Sequence, residues 1–425
     1  MAVKLVSPKS RQSPSPFFSR TYGGFTPTQK QFVSLLVDSP QGKIIFDPMA
    51  GQGDFLAQFS WKGGRVRLGD LNPAVLCLAR LREPALLMQA DELKNRIGYI
   101  IERLRPSRSL GEPLSFSSSW LSQPLRDQLH AYGKSFNLDR LGNPFSQDSR
   151  VWRLDAEGSL AIGLPLLASR ELVAHRSSDN VTWIKQGGLQ RVSHVFEPLS
   201  TALDNWYVYA KKVSSLVSLG GELCVEWLDL TRSVSTESNL ADVIVTSPPY
   251  ANRLDYSRLW APEIEVLCAL LGIDSPNLTA QQVGSTVIKG VSEFAEEEVL
   301  LPEPVRIVLD TIRQDKISKA SDSYYYPFFR NYAVSLRRAV KNIVNALKPG
   351  GQLTMFVRDT ARKDIVFPTA GLIEATLQEC EGMERLLPTE AHVVRKHIGL
   401  RRRREGTGLR GLAQQEWWLV YKKRE

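Results

Sequence analysis

The feature that most limits what this chain can fold into is a rhythm of short apolar runs, each ending at an acidic residue or a polar turn and leading into a helical stretch. Lys43–Phe46 (KIIF) ends at Asp47 and meets PMAGQGDFL, a glycine-containing turn followed by a helix-like stretch. Arg65–Leu68 leads into GDLNPAV, where Asp70 closes a second strand and Pro73 suits the first turn of a helix. The rhythm resumes with Thr201–Leu219, GELCVEWLDL and ADVIVTSPPY. Asn331–Leu347 carries Val334, Leu336, Val340, Ile343, Val344 and Leu347 on roughly one helical face, Lys348-Pro349-Gly350-Gly351 stops it, and QLTMFV follows as a strand. EWWLVYKK reads as a last strand, antiparallel to the rest. Alternation of this kind buries a mostly parallel sheet between helices, an α/β fold.

At 425 residues the chain is long for one core, which suggests two or three domain-sized units or one domain with large insertions. The texture changes between about Arg105 and Ser200, where short mixed runs such as RPSRSLGEPLSFSSSW show no sustained helical period. This stretch reads as an inserted module. Residues 1–20 are polar and proline-rich, which fits a flexible leader and not a secretory signal. With 43% hydrophobic and 23% charged residues, wholesale disorder is excluded. A net charge of +9 favours a polyanionic partner without requiring one. Cys77, Cys224, Cys268 and Cys380 are scattered, with no ligand spacing, so neither a metal site nor a disulfide framework is expected. No apolar run reaches the length of a membrane span, and a cytoplasmic location is expected.

FDPMAGQGDF places Gly51 and Gly53 where missing side chains let a ligand approach the backbone. Asp70 follows Asp47 by 23 residues at the end of the next strand, where a carboxylate can accept both hydroxyls of a ribose. The loop lacks the third glycine of the dinucleotide pattern and carries Asp54 and Phe55 there, so a pyrophosphate would meet a carboxylate. An adenosine ligand without phosphates fits better, and S-adenosylmethionine is one. In TSPPY, two prolines fix φ and remove two N–H donors, giving a rigid shelf. Carbonyls of Ser247 and Pro248 and the Ser247 hydroxyl can accept from an exocyclic amino group, and Tyr250 offers a flat face to a base. Each motif also has a plain reading: a tight βα turn capped by Asp47, and a proline turn with a packed tyrosine.

Taken together, FDPMAGQGDF, GDLNP, TSPPY and LKPGGQLTMFV resemble the amino-methyltransferases of DNA, which methylate cytosine N4 or adenine N6. The likeness covers most of the chain outside the insertion. It implies a Rossmann-like class I methyltransferase fold, S-adenosylmethionine as cofactor and double-stranded DNA as partner. Ser247, Pro248, Pro249 and Tyr250 correspond to the catalytic loop, whose serine form is typical of cytosine-N4 enzymes. Cofactor contacts are implied for Asp47, Pro48, Ala50, Gly51 and Gly53, for Asp70, Leu71 and Asn72, and for Thr246. Phe25, Thr26 and Pro27 resemble the segment that closes over the methionine end, although Thr26 and Pro27 equally suit a capped helix start. Asp229 falls where the family has an acid near the adenine amino group.

The resemblance divides the chain into a split catalytic domain, 21–104 plus 201–425, with a target-recognition module at 105–200. In typical members with this motif order the module sits just before the catalytic strand, so a second insertion at 271–326 is an alternative carrier of that role. A site-specific enzyme of a restriction–modification system, with a companion endonuclease, is the expectation. No cysteine follows the prolines, which disfavours carbon-5 methylation. Adenine-N6 and RNA base methylation remain alternatives, as does a non-catalytic nucleic-acid-binding scaffold, and Ser247 and the basic balance speak against a protein-glutamine enzyme. Phosphate contact is one reading of Arg103, Arg105, Arg108, Lys211, Lys212, Arg337, Arg338, Lys341 and Arg401–Arg404, and nucleic-acid stacking one reading of Trp183, Trp206 and Tyr207. Solvated helix faces and core packing are the other.

Overall fold

A computed structural model describes residues 24–105, 120–176, 184–187, 191–218, 220–232, 237–251, 256–275, 282–285, 292–315, 320–362, 365–388, 390–393 and 415–425. The leader, Arg108, Trp183 and Arg401–Arg404 lie outside the described residues. Two units can be distinguished, one formed by residues 1–227 and 258–276, the other by 228–257 and 277–425.

In the first unit, helix α1 (Pro27–Leu36) precedes strand β1 (Ile44–Asp47), which pairs in parallel with β2 (Arg65–Asp70). A third strand, β3 (Glu222–Trp227), extends this ladder in parallel on the far side of β2. Ile45, Phe46, Val66 and Leu68 are buried, and each such side chain removed from water contributes about 1.5–3 kcal/mol. The helix expected after the glycine turn is absent among the described residues. A single 3-10 turn, Leu56–Phe59, takes its place and makes the short crossover to β2.

Between β2 and β3 the chain forms α2 (Pro73–Arg80), α3 (Pro84–Met88), α4 (Ala90–Glu102), α5 (Gln123–Ser135), α6 (Ala156–Leu172) and α7 (Phe196–Ser214). Two of these, α5 and α6, lie within the stretch that showed no helical period, and α7 begins at its end. The reason is visible in α6, where Leu160 to Leu166 is buried on every side, so no polar stripe marks its period. It packs against α2, α7 and helix α8 (Ala261–Leu271), and Gly163 brings its backbone onto Leu81. Arg170 locks α6 to α8 through Glu263 at 2.7 Å.

The second unit carries β4 (Ala241–Thr246), parallel to β5 (Leu347–Arg358). The last strand, β6 (Gln415–Lys423), is antiparallel to β5, as its sequence suggested, and pairs on its other edge with two short antiparallel strands, Met383–Arg385 and Glu390–Val393. Helices α9 (Glu303–Gln314), α10 (Tyr326–Ala346) and α11 (Thr369–Glu379) complete it. The helix over Asn331–Leu347 is observed, longer at its start, but Lys348 to Gly351 is no separate stop: the chain passes from Ala346 straight into β5, with a register irregularity beside it. Parallel strands flanked by helices make this a Rossmann-like α/β fold with a mostly parallel sheet and an antiparallel last strand, the class expected from the sequence.

Candidate functional site

At the end of β1, Asp47 is buried and its Oδ1 accepts the Met49 N–H at 3.1 Å, closing the turn as its plain reading requires. Pro48 is buried beside it, and the Ala50 N–H donates to the Gly69 carbonyl at 2.9 Å, tying the loop to β2. Gly51 and Gly53 both hold positive φ, +52° and +56°, a region costly for any other residue. They differ in surroundings. A Cβ on Gly53 would lie 2.2 Å from Leu68 Cδ1, so this glycine serves close packing on β2. A Cβ on Gly51 would meet nothing within 4 Å, so this one faces open space.

Asp70 binds this loop from the end of β2. Its Oδ2 accepts the Gly51 N–H and its Oδ1 the Asn72 N–H, both at 2.8 Å. Burial pushes the Asp70 carboxyl above the usual carboxylate range, against the pull of these two bonds. The Leu71 N–H is a third donor, and a carboxylate with about four lone-pair sites keeps room for a ligand hydroxyl. Asn72 caps α2 through the Ala74 N–H at 3.0 Å, which leaves its buried Nδ2 without a partner among the described residues. Gln52 Oε1, between the two glycines, is a second such atom. Leu71 gives its carbonyl to Trp227 Nε1 at 2.8 Å.

The Asp54 carboxylate, expected to repel a phosphate, is neutralised. Arg82, fully buried, reaches it at 3.2 Å and also donates to the Gln52 carbonyl at 3.0 Å, while Lys30 of α1 lies 3.7 Å away. Of the sequence argument against a pyrophosphate the missing third glycine stays, joined by a 3-10 turn where a phosphate site would use a helix start. Nothing local to the loop's sequence singles out Arg82, and it was missed. Thr26 caps α1 in a capping box with Gln29, and Pro27 sits in the first turn, so their helix-start role is the one seen. The same helix is held at the glycine loop, because Phe25 meets Phe55 edge-on at 6.0 Å and Lys30 lies over the Phe55 ring at 5.7 Å.

In the second unit, β4 ends in Thr246, whose buried Oγ1 has no partner among the described residues. Ser247 Oγ donates to the Phe356 carbonyl of β5 at 3.0 Å, so the hydroxyl proton is spent and the oxygen is left as an acceptor. Pro248 is buried, and the Pro249 carbonyl accepts the Tyr332 hydroxyl of α10 at 2.9 Å. Tyr250 is half-buried with its hydroxyl 3.5 Å from Ser247 Oγ. Burial raises its phenol above the ordinary tyrosine value, opposed by Arg358, whose guanidinium lies 5.6 Å from the ring centroid. Asp229, two residues beyond β3, is buried but occupied locally: Thr231 N–H and Oγ1 bind Oδ1 at 3.0 and 2.7 Å, and Arg232 binds Oδ2 at 3.1 Å.

Arg337 and Lys341 share Glu379 at 2.6 and 3.3 Å, Arg338 pairs with Glu297, Lys211 with Asp91 at 3.0 Å and Arg105 with Glu102. Each of these five cations has an acidic partner. Trp206 is core, with its Nε1 donating to the Leu81 carbonyl at 3.3 Å, and Tyr207 donates to Asp91 at 2.6 Å. No described helix is long and apolar enough to cross a membrane.

No protein-family model matches the chain, and no curated protein does. Two solved structures of the rRNA methyltransferase aviRa from Streptomyces viridochromogenes align with 94% of this chain and 86% of theirs, at 12% identity. Their TM-scores, 0.30 and 0.28, are too low to support any inference from them, and the fold and site rest on the residues described above.

Proposed function

We propose that the chain transfers a methyl group from S-adenosylmethionine to the exocyclic amino group of a base turned out of double-stranded DNA, with cytosine N4 as the first target. The observation that carries this reading is the Ser247 hydroxyl. Its proton is committed to Phe356 O, on a loop held by two prolines and by Tyr332, so the oxygen presents a fixed acceptor beside an aromatic ring. An amino group is the partner such an acceptor fits.

The residues at the glycine loop suit the cofactor. Open space beside Gly51, the remaining Asp70 lone pairs, the unpartnered Gln52 Oε1 and Asn72 Nδ2, and the absence of a phosphate cradle match an adenosine with a zwitterionic tail. S-adenosylmethionine would bring an electrophilic sulfonium methyl. On this reading Asp70 holds the ribose, and Phe25 to Pro27 close over the loop.

Unstacking a base costs a few kcal/mol, and stacking on Tyr250 returns about 1–3 kcal/mol. Ser247 Oγ and the Ser247 and Pro248 carbonyls fix the amino hydrogens, which aims the nitrogen lone pair, a gain of orientation more than of acid–base catalysis. Target recognition fits 271–326 better than 105–200, since α6 is buried all round from Leu160 to Leu166 while α9 exposes Ile307 at 58%. A companion endonuclease belongs to this reading as a functional partner.

Digesting DNA and tRNA from an expressing strain to nucleosides, with mass spectrometry, tests the proposal. N4-methylcytosine in DNA is the expected product. N6-methyladenine would move the target, modified tRNA alone would replace DNA by RNA, and no new methylated base in either would remove the function.

A further inference from the structure

The Arg358 guanidinium lies over the ring of the proline loop's tyrosine, and its own position is not left to solvent. Its Nε and one terminal nitrogen bind Glu416 Oε2 at 3.1 and 2.9 Å. Glu416 is 2% exposed, and its other oxygen accepts Trp418 Nε1 at 3.1 Å. Arg358 and Glu416 are cross-strand partners on β5 and β6, so the ladder itself sets their spacing. A buried carboxylate is costly unless paired, so the pair is a rigid unit whose free side is the guanidinium face toward Tyr250.

We propose that Glu416 and Arg358 form a clamp in which the guanidinium holds one face of the Tyr250 ring, leaving the other face in a fixed plane for the target base. Arg358 is thus a positioning residue, and the role rests on the proposed stacking function of Tyr250. Arg358→Ala alone strands the buried Glu416 charge and endangers folding. The informative variant is Arg358→Ala with Glu416→Gln, which removes both charges and keeps the acceptor for Trp418.

The test has two readouts. The first is NMR of protein labelled with ring-13C tyrosine, with the Tyr250 signal assigned by its loss in Tyr250→Phe. In the double variant that signal should shift and broaden. An unchanged signal overturns the clamp, whatever methylation shows. The second readout is methyl transfer to plasmid DNA from a non-expressing strain, with cofactor affinity from calorimetry as control. The double variant should lose about tenfold in turnover with cofactor affinity unchanged, Arg358→Lys should restore part of the loss, and adding Tyr250→Ala should cause no further loss than Tyr250→Ala alone. Independent, additive losses overturn the inference. If Tyr250→Ala itself leaves transfer at the wild-type rate, the stacking function falls, and the positioning role with it.

Discussion

At the glycine loop most of the groups that hold the chain are near in sequence and act on backbone N–H groups: Asp47 closes its own turn, Gly69 ties down Ala50, and Asp70 gathers the N–H groups of Gly51 and Asn72. At the proline loop the holding groups come from far along the chain and are mostly side chains. Phe356 lends a carbonyl to Ser247, Tyr332 a hydroxyl to Pro249, and Arg358 a guanidinium to Tyr250. The first loop is shaped by conformation, with two glycines at positive φ, and the second by covalent stiffness and clamping. A loop of the first kind should fail abruptly when one atom changes. One of the second kind should lose function by degrees.

The largest effect is expected at Asp70. Asp70→Ala removes the acceptor of two charge-assisted bonds, each worth about 1.5–3 kcal/mol, and cofactor affinity should fall about 100-fold by calorimetry. Wild-type affinity would break the comparison at its strongest point. The raised carboxyl adds a pH signature. Burial makes the folded state bind a proton at Asp70 more readily than the unfolded one, so its contribution to stability is present below the ordinary carboxylate value and is lost as pH rises through the raised one. Over the same window the ionised carboxylate becomes a better acceptor of ligand hydroxyls, so cofactor affinity should rise as stability falls. Denaturation and calorimetry across the acidic range, on wild type and Asp70→Asn, check both slopes, and the variant should remove the Asp70 share of each.

Gly53→Ala is expected next. Left-handed strain of about 1–2 kcal/mol is joined by a collision with Leu68 at 2.2 Å, for a total of about 3 kcal/mol in urea denaturation. Gly51→Ala carries the strain alone and should cost about 1 kcal/mol in stability, its larger effect falling on cofactor binding. Equal stability losses would show that the two glycines do not divide packing from access.

Tyr250→Ala should lower turnover on DNA by about 10- to 100-fold, the loss of about 1–3 kcal/mol of stacking, while cofactor affinity stays within twofold. Parallel loss of cofactor affinity would erase the distinction between the two loops.

The same contrast explains what could be read from the chain. Short-range features were legible: the α/β rhythm, the glycine turn, the capping of α1 by Thr26, the antiparallel last strand. Arg82, Arg358 and Glu416 were not, because a lone charged residue in a strand or helix end carries no mark of the loop it serves 28 to 166 residues away. Helix α6 hid for the opposite reason: Leu160 to Leu166 is apolar and buried all round, and a stretch without a polar face has no period to detect. At Asp229 a carboxylate just beyond a strand accepts from its own turn and from Arg232, local bonds that the sequence does not announce.

The smallest effect, and the sharpest on the clamped loop, is expected from Tyr332→Phe. The change keeps the ring in its buried place against Phe367 and deletes only the hydroxyl that donates to Pro249 O. A carbonyl that loses one neutral donor costs about 1 kcal/mol, so stability should drop by about that much. The loop itself stays rigid, since the prolines and the Ser247 bond to Phe356 remain. Turnover should therefore fall only about threefold, with cofactor affinity unchanged. A loss as great as that of Tyr250→Ala would mean that Tyr332, and not the prolines, sets the shelf, and the loop's stiffness would have to be assigned to α10 instead of to its own covalent chain.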